Sequence, residues 1–185
     1  MKIPDFNHNH VLPPHLGNPT KQSDLSPYDC SIHEFCIRFA TSKKRVQLLK
    51  KFIEFRKLLT YNGIIFGFQW VDGSFTQNIE VSEGRAPNDL DLVTFYGNLT
   101  SDHLLMIKTH FPEFANPILS KNRFQIDHYN VDFTYTPEIT VEYTKYWIQL
   151  FTHTRSNIWK GIIKLSLNTP SEDDIALNYL NALKL

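Results

Sequence analysis

Apolar side chains recur at helical spacing between residues 43 and 60. They share one side of a predicted helix: Val46, Leu49, Phe52 and Ile53, with Leu48, Phe55 and Leu59 widening the stripe. Spacing of three and four residues is typical of an amphipathic helix that packs on a core. Thr41 or Ser42 can cap its start, and Asn62-Gly63 is a natural end. The sequence therefore predicts a long helix that leads directly into the next apolar segment.

Three shorter apolar segments predict strands. Residues 64 to 71 and 89 to 96 are rich in β-branched and aromatic side chains, and a polar loop, 76 to 88, joins them. This pattern is typical of two antiparallel strands. Residues 123 to 135 predict a later strand, in which Asp132 points away from the apolar face because alternate side chains of a strand share a face.

The rest of the chain predicts further helices and one more strand. The helices cover residues 31–39, 100–110, a short segment up to 121, 140–153 and a C-terminal helix after 169, and the strand covers 159–167. In the helix at 140–153 the side chains predicted to point inward are Val141, Tyr146, Trp147, Leu150 and Phe151. In the last helix they are Ile175, Tyr179, Leu180 and Leu183. Thr169 and Glu172 match a capping box that opens this helix.

These elements predict one α/β (α+β) domain, a mixed β-sheet flanked by helices with a C-terminal helical segment. A chain of 185 residues has room for one domain with its own core. Residues 1–40 predict an extended N-terminal arm that packs on the body, since its prolines fix the backbone and remove donors. Residues 41–137 form the predicted core, and residues 138–185 a helix-strand-helix extension of the same domain.

Charge and composition are those of an ordinary globular protein. The formal net charge is zero, which excludes the global positive field that nucleic-acid binders often carry. Cys30 and Cys36 fit neither a disulfide framework nor a zinc pattern. The start of the chain has no apolar leader, and the longest apolar runs are too short to span a bilayer. We therefore expect a cytoplasmic protein without a membrane partner; the sequence leaves its oligomeric state open.

The predicted helix at 43–60 is strongly basic. Its cationic side chains are Lys43, Lys44, Arg45, Lys50, Lys51, Arg56 and Lys57, against Glu54 alone. Such a run is most often a solvated helix face. The alternative is a docking surface for nucleic acid or an acidic partner, whose affinity would fall steeply with salt.

Two acidic residues on one predicted strand are the candidate centre of the chemistry. Asp89 and Asp91 are two positions apart, so their carboxylates lie on the same face of the strand. Neighbouring carboxylates repel each other, and a hard cation such as Mg²⁺ relieves that repulsion. Upstream, Gly73-Ser74 ends the preceding strand in a turn. Glycine lets a backbone approach a phosphate closely, and the turn's N–H groups with the Ser74 hydroxyl can hold that phosphate.

A strand that ends in Gly73-Ser74, followed by a strand that carries Asp89 and Asp91, resembles the signature of the nucleotidyltransferase fold, the superfamily of DNA polymerase beta. The resemblance covers residues 45 to 135. The segments at 87–93 and 12–14 also look like those of small bacterial members of the superfamily. It implies a third carboxylate on a later strand, for which Asp132 is the candidate. It further implies that these three acids are catalytic and together hold Mg²⁺ or Mn²⁺.

The resemblance also implies an activity. A nucleoside monophosphate would pass from an NTP, with ATP expected, to a macromolecular acceptor that is a protein or an RNA. Asp132 would hold the metal that activates the acceptor hydroxyl and would accept its proton. Asp127-His128 is a second candidate base near Asp132, although a strand-edge pair is the simpler interpretation. Analogy with compact bacterial members suggests a role in a toxin–antitoxin or phage-defence system.

One part of the family's phosphate site is missing from its usual place. Members of the superfamily often carry Arg or Lys soon after the Gly-Ser, whereas here the chain continues Phe75-Thr76-Gln77. Arg85 is the first candidate to replace that cation, with Lys121 and Arg123 as alternatives. The basic loops at 154–156 and 159–161 are further candidates for contact with a base or phosphate. Without such a cation, the alternative is a catalytically inactive module that binds a nucleotide or neutralises a protein partner.

Overall fold

A computed structural model describes residues 3–185 and shows a five-stranded mixed sheet flanked by helices. The strands are β1 (Tyr28–Cys30), β2 (Gly67–Asp72), β3 (Leu90–Tyr96), β4 (Ile126–Asp132) and β5 (Ile163–Ser166). The helices are α1 (Ile32–Phe39), α2 (Lys43–Tyr61), α3 (Ile79–Ser82), α4 (Ser101–His110), α5 (Pro117–Phe124), α6 (Pro137–Phe151) and α7 (Pro170–Ala182). The predicted α/β fold class is therefore confirmed. Within residues 3–185, no helix is both long enough and apolar enough to cross a bilayer.

The strand order is β1-β5-β2-β3-β4, so the two ends of the chain complete the sheet. β2 and β3 are antiparallel, and β4 lies parallel to β3 at one edge. β5, from the predicted C-terminal extension, lies between β2 and β1. β1, from the predicted N-terminal arm, forms the other edge. Ile3, Val11 and Leu12 of that arm are buried, which matches an arm that packs on the body.

Helices cover both faces of the sheet, but unequally. The larger core joins Val71, Leu92 and Leu165 of the strands to buried side chains of α1, α2 and α7. On the opposite face, Trp70, Val93, Phe95 and Val131 pack with Trp147 and Phe151 of α6. Alternation along each strand separates these two sets. Side chains in register with Val93 therefore lie on the α6 side of the sheet.

The predicted inward faces of α6 and α7 need correction. Trp147 and Phe151 of α6 are buried, but Val141, Tyr146 and Leu150 are at least half exposed. In α7, Leu180 is buried whereas Ile175 is exposed, and Asp173 lies inside instead. Each helix contacts the body along a narrower strip than an amphipathic pattern suggests.

Arg56 belongs to the basic run of α2, but its side chain is buried and so is not part of a solvated helix face. Its guanidinium donates to Asp173 (2.9 Å) and Gln69 (2.6 Å), and also to the Thr169 hydroxyl (2.6 Å) and the Ser166 carbonyl (2.9 Å). The Thr169 hydroxyl is engaged there, and no side-chain cap forms at the start of α7, contrary to the predicted capping box. Arg56 thus ties α2 to α7 and to the sheet.

The polar network of Arg56 continues across the sheet to His128. Gln69 donates to the Thr94 hydroxyl (3.1 Å), which lies 2.9 Å from Nε2 of His128. The His128 ring is buried against Phe55 and Phe114. Burial disfavours the charged imidazolium and lowers the pKa of His128 from 6.5 to about 3. His128 is therefore neutral in the folded protein at physiological pH.

We expect His128→Phe to remove part of the pH dependence of stability. In the unfolded chain the His128 side chain binds a proton with a pKa near 6.5, whereas in the folded chain it stays neutral down to about pH 3. The contribution of neutral His128 is therefore complete above about pH 6.5 and is lost as the pH falls through this range. Urea unfolding gives the free energy of unfolding of both proteins. The value for wild type minus the value for His128→Phe should fall by on the order of 3 kcal/mol between about pH 7 and pH 4. A difference in unfolding free energy that does not change with pH would contradict a buried neutral His128 ring.

Candidate functional site

A cavity of about 760 Å³ opens on the α6 side of the sheet, where β2 ends and where β3 and β4 begin. Acidic side chains on its wall include Asp72, Glu83, Asp89, Asp91 and Asp127, and basic side chains include Arg85, Lys121, Arg155 and Lys160. Gly73 and Ser74 also line it. A concave site with charged groups of both signs is a natural place for a polar ligand.

Three carboxylates form a row across neighbouring strands. Asp72 of β2 is in register with Asp91 of β3, and Asp91 is in register with Asp127 of β4. Directly paired residues share a face, so all three point to the α6 side. Asp89 lies two positions before Asp91 and lines the same cavity. Burial, together with the charges of Asp89, Asp72 and Asp127, raises the pKa of Asp91 to about 7.

The predicted turn lies directly against this row. Gly73 has φ +79°, and a Cβ built on it would come within 1.6 Å of Oδ2 of Asp91. Only glycine leaves room for the carboxylate at this close approach. Ser74 then begins a short 3₁₀ turn (Ser74–Thr76), in which buried Phe75 anchors the chain. The structure thus brings together Gly73, Ser74 and Asp91 as the sequence analysis expected.

Arg45 supports that turn from the protein side. Its buried guanidinium donates to the carbonyls of Phe75 (2.6 Å) and Gln77 (2.7 Å) and pairs with Glu80 (2.6 Å). Like Arg56, it belongs to the basic run of α2 and has a structural role. The docking interpretation of that helix therefore rests on its lysines alone.

Two lysines offset the negative charge of the row. The ammonium of Lys121, on α5, lies 2.9 Å from Asp89 and 3.4 Å from Asp127. Lys160, in the loop before β5, pairs with Asp72, and both side chains are buried. Lys160 belongs to the basic loop predicted at 159–161, whereas Asp72, which directly precedes the Gly-Ser turn, was not among the predicted site residues.

Asp132 does not join Asp89 and Asp91, and the predicted three-acid set has to be corrected. In the parallel β3–β4 pair, Asp132 is in register with Tyr96, at the far end of β3 from Asp91. Five positions separate Asp91 from Tyr96, so Asp132 lies on the opposite face of the sheet. Its carboxylate accepts from the backbone and hydroxyl of Thr134 (2.9 and 2.7 Å). Asp127, at the start of β4, holds the place that the sequence analysis gave to Asp132.

The cations proposed for phosphate binding differ in their surroundings. Arg85 lines the cavity but pairs with Glu83 at 2.7 Å. Arg123 pairs with Glu113 and Glu54 and is not among the lining residues. Arg155 lines the cavity on a turn that the Thr154 hydroxyl organises by accepting from the backbone of Ser156 and Ile158. Among the described residues, no ion pair engages Arg155.

The oxygen-rich wall is chemically suited to Mg²⁺ or Mn²⁺. Within residues 3–185, no three His, Cys, Asp or Glu side chains form a ready-made metal cage. Magnesium rarely needs one, because it usually takes one or two carboxylates and completes its shell with water and substrate phosphates. Burial and the acidic neighbours of Asp91 raise its pKa, and a bound cation would favour its ionised form. Asp89, Asp91 and Asp127 are therefore the residues that fit such a cation.

The fold and its cavity define an α/β protein with a carboxylate-lined site at one end of a mixed sheet. Residues 4–166 match the model of a family described as a family of unknown function (DUF6932), and the chain belongs to that family. No curated protein and no solved structure matches the chain.

We expect Asp91→Asn to stabilise the metal-free protein at neutral and alkaline pH. The pKa of Asp91 is about 7 in the folded protein against 3.8 for the ordinary group, so Asp91 loses its proton at a lower pH in the unfolded chain than in the folded one. Wild type therefore loses stability as the pH rises from about 4 to about 7, and a neutral amide does not. Thermal unfolding in chelator at about pH 8 should show the variant more stable by roughly 1–3 kcal/mol.

Asp132→Asn is the matched control for that experiment. It changes the same group on the opposite face of the sheet, away from the acidic row, so no gain is expected. A gain of Asp91→Asn that is equally large at about pH 4, or absent at about pH 8, would contradict the charge crowding described here.

Proposed function

We propose that this protein is a metal-dependent nucleotidyltransferase, which moves a nucleoside monophosphate from an NTP, with ATP expected, to a protein or RNA acceptor. The observation that carries the proposal is the row of Asp72, Asp91 and Asp127 beside the Gly73-Ser74 turn, open to a cavity of about 760 Å³. Carboxylates next to a phosphate-binding turn are what phosphoryl chemistry on a triphosphate requires.

The acids have distinct parts in this proposal. Asp89, Asp91 and Asp127 would hold Mg²⁺ or Mn²⁺. The chemistry that such a cation supplies when bound is neutralisation of the triphosphate charge and alignment of the attacking and leaving oxygens. Asp127 lies on the edge strand, where a large acceptor has access, and it takes over the role of proton acceptor that the sequence analysis gave to Asp132. Asp72 is engaged by Lys160 and supports the row from the inside.

The turn and the opposite wall would bind the triphosphate. Gly73 and Ser74 line the cavity together with Asp91, and the N–H groups of this turn and the Ser74 hydroxyl would donate to the phosphates. Arg155 is the better substitute for the cation that is missing after the Gly-Ser, because Arg85 already pairs with Glu83. Lys121 bridges Asp89 and Asp127, and its ammonium would have to move toward phosphate when a metal binds there.

The proposal is tested by labelling. The purified protein is incubated with each α-³²P-labelled NTP, Mg²⁺ or Mn²⁺ and cell extract, and labelled macromolecules are separated by size before and after protease or ribonuclease. We expect one NTP to label one class of acceptor. Asp91→Asn and Asp127→Asn should each lower the rate by at least about 100-fold, because each removes a carboxylate that several kcal/mol of charge stabilisation depends on.

Asp132→Asn separates the structural assignment from the sequence-based one. It should keep wild-type labelling, since its carboxylate is on the other face of the sheet. Loss of labelling in Asp132→Asn with retention in Asp127→Asn would restore the original three-acid set. No labelling with any NTP, metal or extract would count against the enzyme.

One observation favours a second candidate, a nucleotide-binding module without catalysis. Lys121 already occupies the space between Asp89 and Asp127, and the described residues hold no ready-made metal cage. This candidate predicts that NTP raises the melting temperature of the protein in the absence of divalent metal and that no product forms. The enzyme predicts a rise that depends on metal and that Asp91→Asn abolishes.

A further inference from the structure

The two lysines that pair with the acidic row differ in burial. Lys160 and its partner Asp72 are both buried, so that ion pair is fixed inside the protein. The side chain of Lys121 is 52% exposed, and it pairs with two partly exposed carboxylates, those of Asp89 and Asp127. Lys121 therefore reaches the row from its solvent-exposed side and can be exchanged for another cation.

The helix that carries Lys121 is anchored, although the lysine side chain is not. On α5, Ser120 and Phe124 are fully buried. The ring of Phe124 packs against Phe55 and Phe111, with 5.4 and 6.3 Å between ring centroids. A lysine side chain is a long flexible stem that ends in a point charge. The ammonium can therefore leave the two carboxylates by rotation of its own side chain, without movement of α5.

The ammonium of Lys121 and a divalent cation would use the same oxygens. Nζ of Lys121 lies 2.9 Å from Oδ2 of Asp89 and 3.4 Å from Oδ2 of Asp127. Mg²⁺ binds carboxylate oxygens at about 2.0–2.1 Å. A cation on either oxygen would come close to the ammonium, and the two positive charges would repel each other. Metal binding through Asp89 and Asp127 therefore requires Lys121 to move away.

A triphosphate would give the displaced ammonium a new partner. Lys121 and the Gly73-Ser74 turn line the same cavity, so phosphates bound there would offer negative charge in place of the carboxylates. Without a nucleotide, the ammonium would exchange two ion pairs for water. We propose that Lys121 is an internal counter-ion that closes the metal site until a triphosphate binds, so that metal and nucleotide bind cooperatively. This inference rests on the metal and triphosphate sites of the proposed function, but not on transfer to an acceptor.

Competition between Lys121 and metal sets the size of the expected effect. A ligand that binds only molecules with an open site has an apparent dissociation constant raised by the inverse of the open fraction. If Lys121 covers the carboxylates in about nine molecules out of ten, its removal tightens metal binding about tenfold. By linkage, the nucleotide raises the affinity for metal by the same factor by which metal raises the affinity for the nucleotide.

Titration calorimetry with Mn²⁺ alone tests the competition without any nucleotide, since Mn²⁺ prefers the same oxygen ligands as Mg²⁺. We expect Lys121→Met to lower the dissociation constant of Mn²⁺ by at least about tenfold relative to wild type. Lys121→Arg keeps a cation that pairs well with carboxylates, so it should retain the weak binding of wild type. Asp127→Asn added to Lys121→Met should undo the gain, because it removes a carboxylate of the opened site.

Lys57→Met is the matched control for the Mn²⁺ titration. Lys57 is also a partly exposed lysine paired with a carboxylate, that of Asp174 at 2.6 Å, and neither residue lines the cavity. The Mn²⁺ affinity of this variant should equal that of wild type. Equal tightening by both methionine variants would show a general effect of charge and overturn the proposal. Unchanged Mn²⁺ affinity in Lys121→Met, or no measurable Mn²⁺ binding by that variant, would overturn it as well.

A second titration tests the cooperativity with the preformed complex of Mn²⁺ and α,β-methylene-ATP, which cannot be cleaved between the α- and β-phosphates. For each protein, the affinity for this complex is divided by the affinity for Mn²⁺ alone. The ratio for wild type should exceed that for Lys121→Met by at least about tenfold, because only wild type has an ammonium that the triphosphate draws away. Equal ratios would overturn the coupling.

The result is separable from that of the labelling experiment. Tighter Mn²⁺ binding by Lys121→Met, without a labelled acceptor for any NTP, would support the internal counter-ion and count against the transferase. Labelling by wild type, with an unchanged Mn²⁺ affinity in Lys121→Met, would support the transferase and overturn the counter-ion.

Discussion

Repulsion among carboxylates at one end of the sheet is the constraint on which the site depends. Strand pairing places Asp72, Asp91 and Asp127 side by side, and Asp89 adds a fourth carboxyl group. Without partners, this cluster of carboxylates would destabilise the fold, since charges removed from water need partners. Lys121 and Lys160 supply them from two different parts of the chain. Burial is the largest cause of the raised pKa of Asp91, about 7; the charges of Asp89, Asp72 and Asp127 raise it further, and Lys160 lowers it.

On the opposite face of the sheet, the buried charge of Arg56 is compensated within a polar network. Arg56 divides its donors among Asp173, Gln69, Thr169 and a carbonyl, and the chain of hydrogen bonds ends at neutral His128. It contains one buried cation with one buried carboxylate, and none of its residues lines the acidic cavity. Nδ1 of His128 and Oδ2 of Asp173 are buried without a hydrogen-bond partner, so this network ties the core together but is only partly satisfied. Surplus charge that faces a cavity is instead typical of functional sites, where stability is given up for chemistry.

Periodicity in the sequence predicted the longer helices and the central strands, but not β1 in the N-terminal arm or α3 in the predicted loop at 76–88. The helix at Lys43–Tyr61, the strands on either side of Gly73-Ser74 and the position of Asp91 beside that turn follow from local patterns. The third acid does not, because a single strand gives no sign of which end lies beside Asp91. Parallel pairing of β4 with β3 selects Asp127 at its start over Asp132 at its end. The direction of a strand is set by tertiary packing, which no local pattern encodes.

The cavity itself depends on contacts between distant parts of the chain, so residues 41–137 are not sufficient to build it. Lys160 and Arg155 come from the loop between α6 and β5. The N-terminal arm fixes that loop: Gly161 donates to the Leu12 carbonyl at 2.8 Å, and a Cβ on Gly161 would lie 2.4 Å from the carbonyl oxygen of Pro13. Tyr28 holds the same Pro13 carbonyl through its hydroxyl at 2.6 Å. Partial unfolding of the arm would therefore release Lys160 from Asp72 and leave a buried carboxylate without its partner, at a cost typical of a broken buried ion pair. The arm and the acidic row are coupled in stability even though none of the arm residues from 3 to 40 lines the cavity.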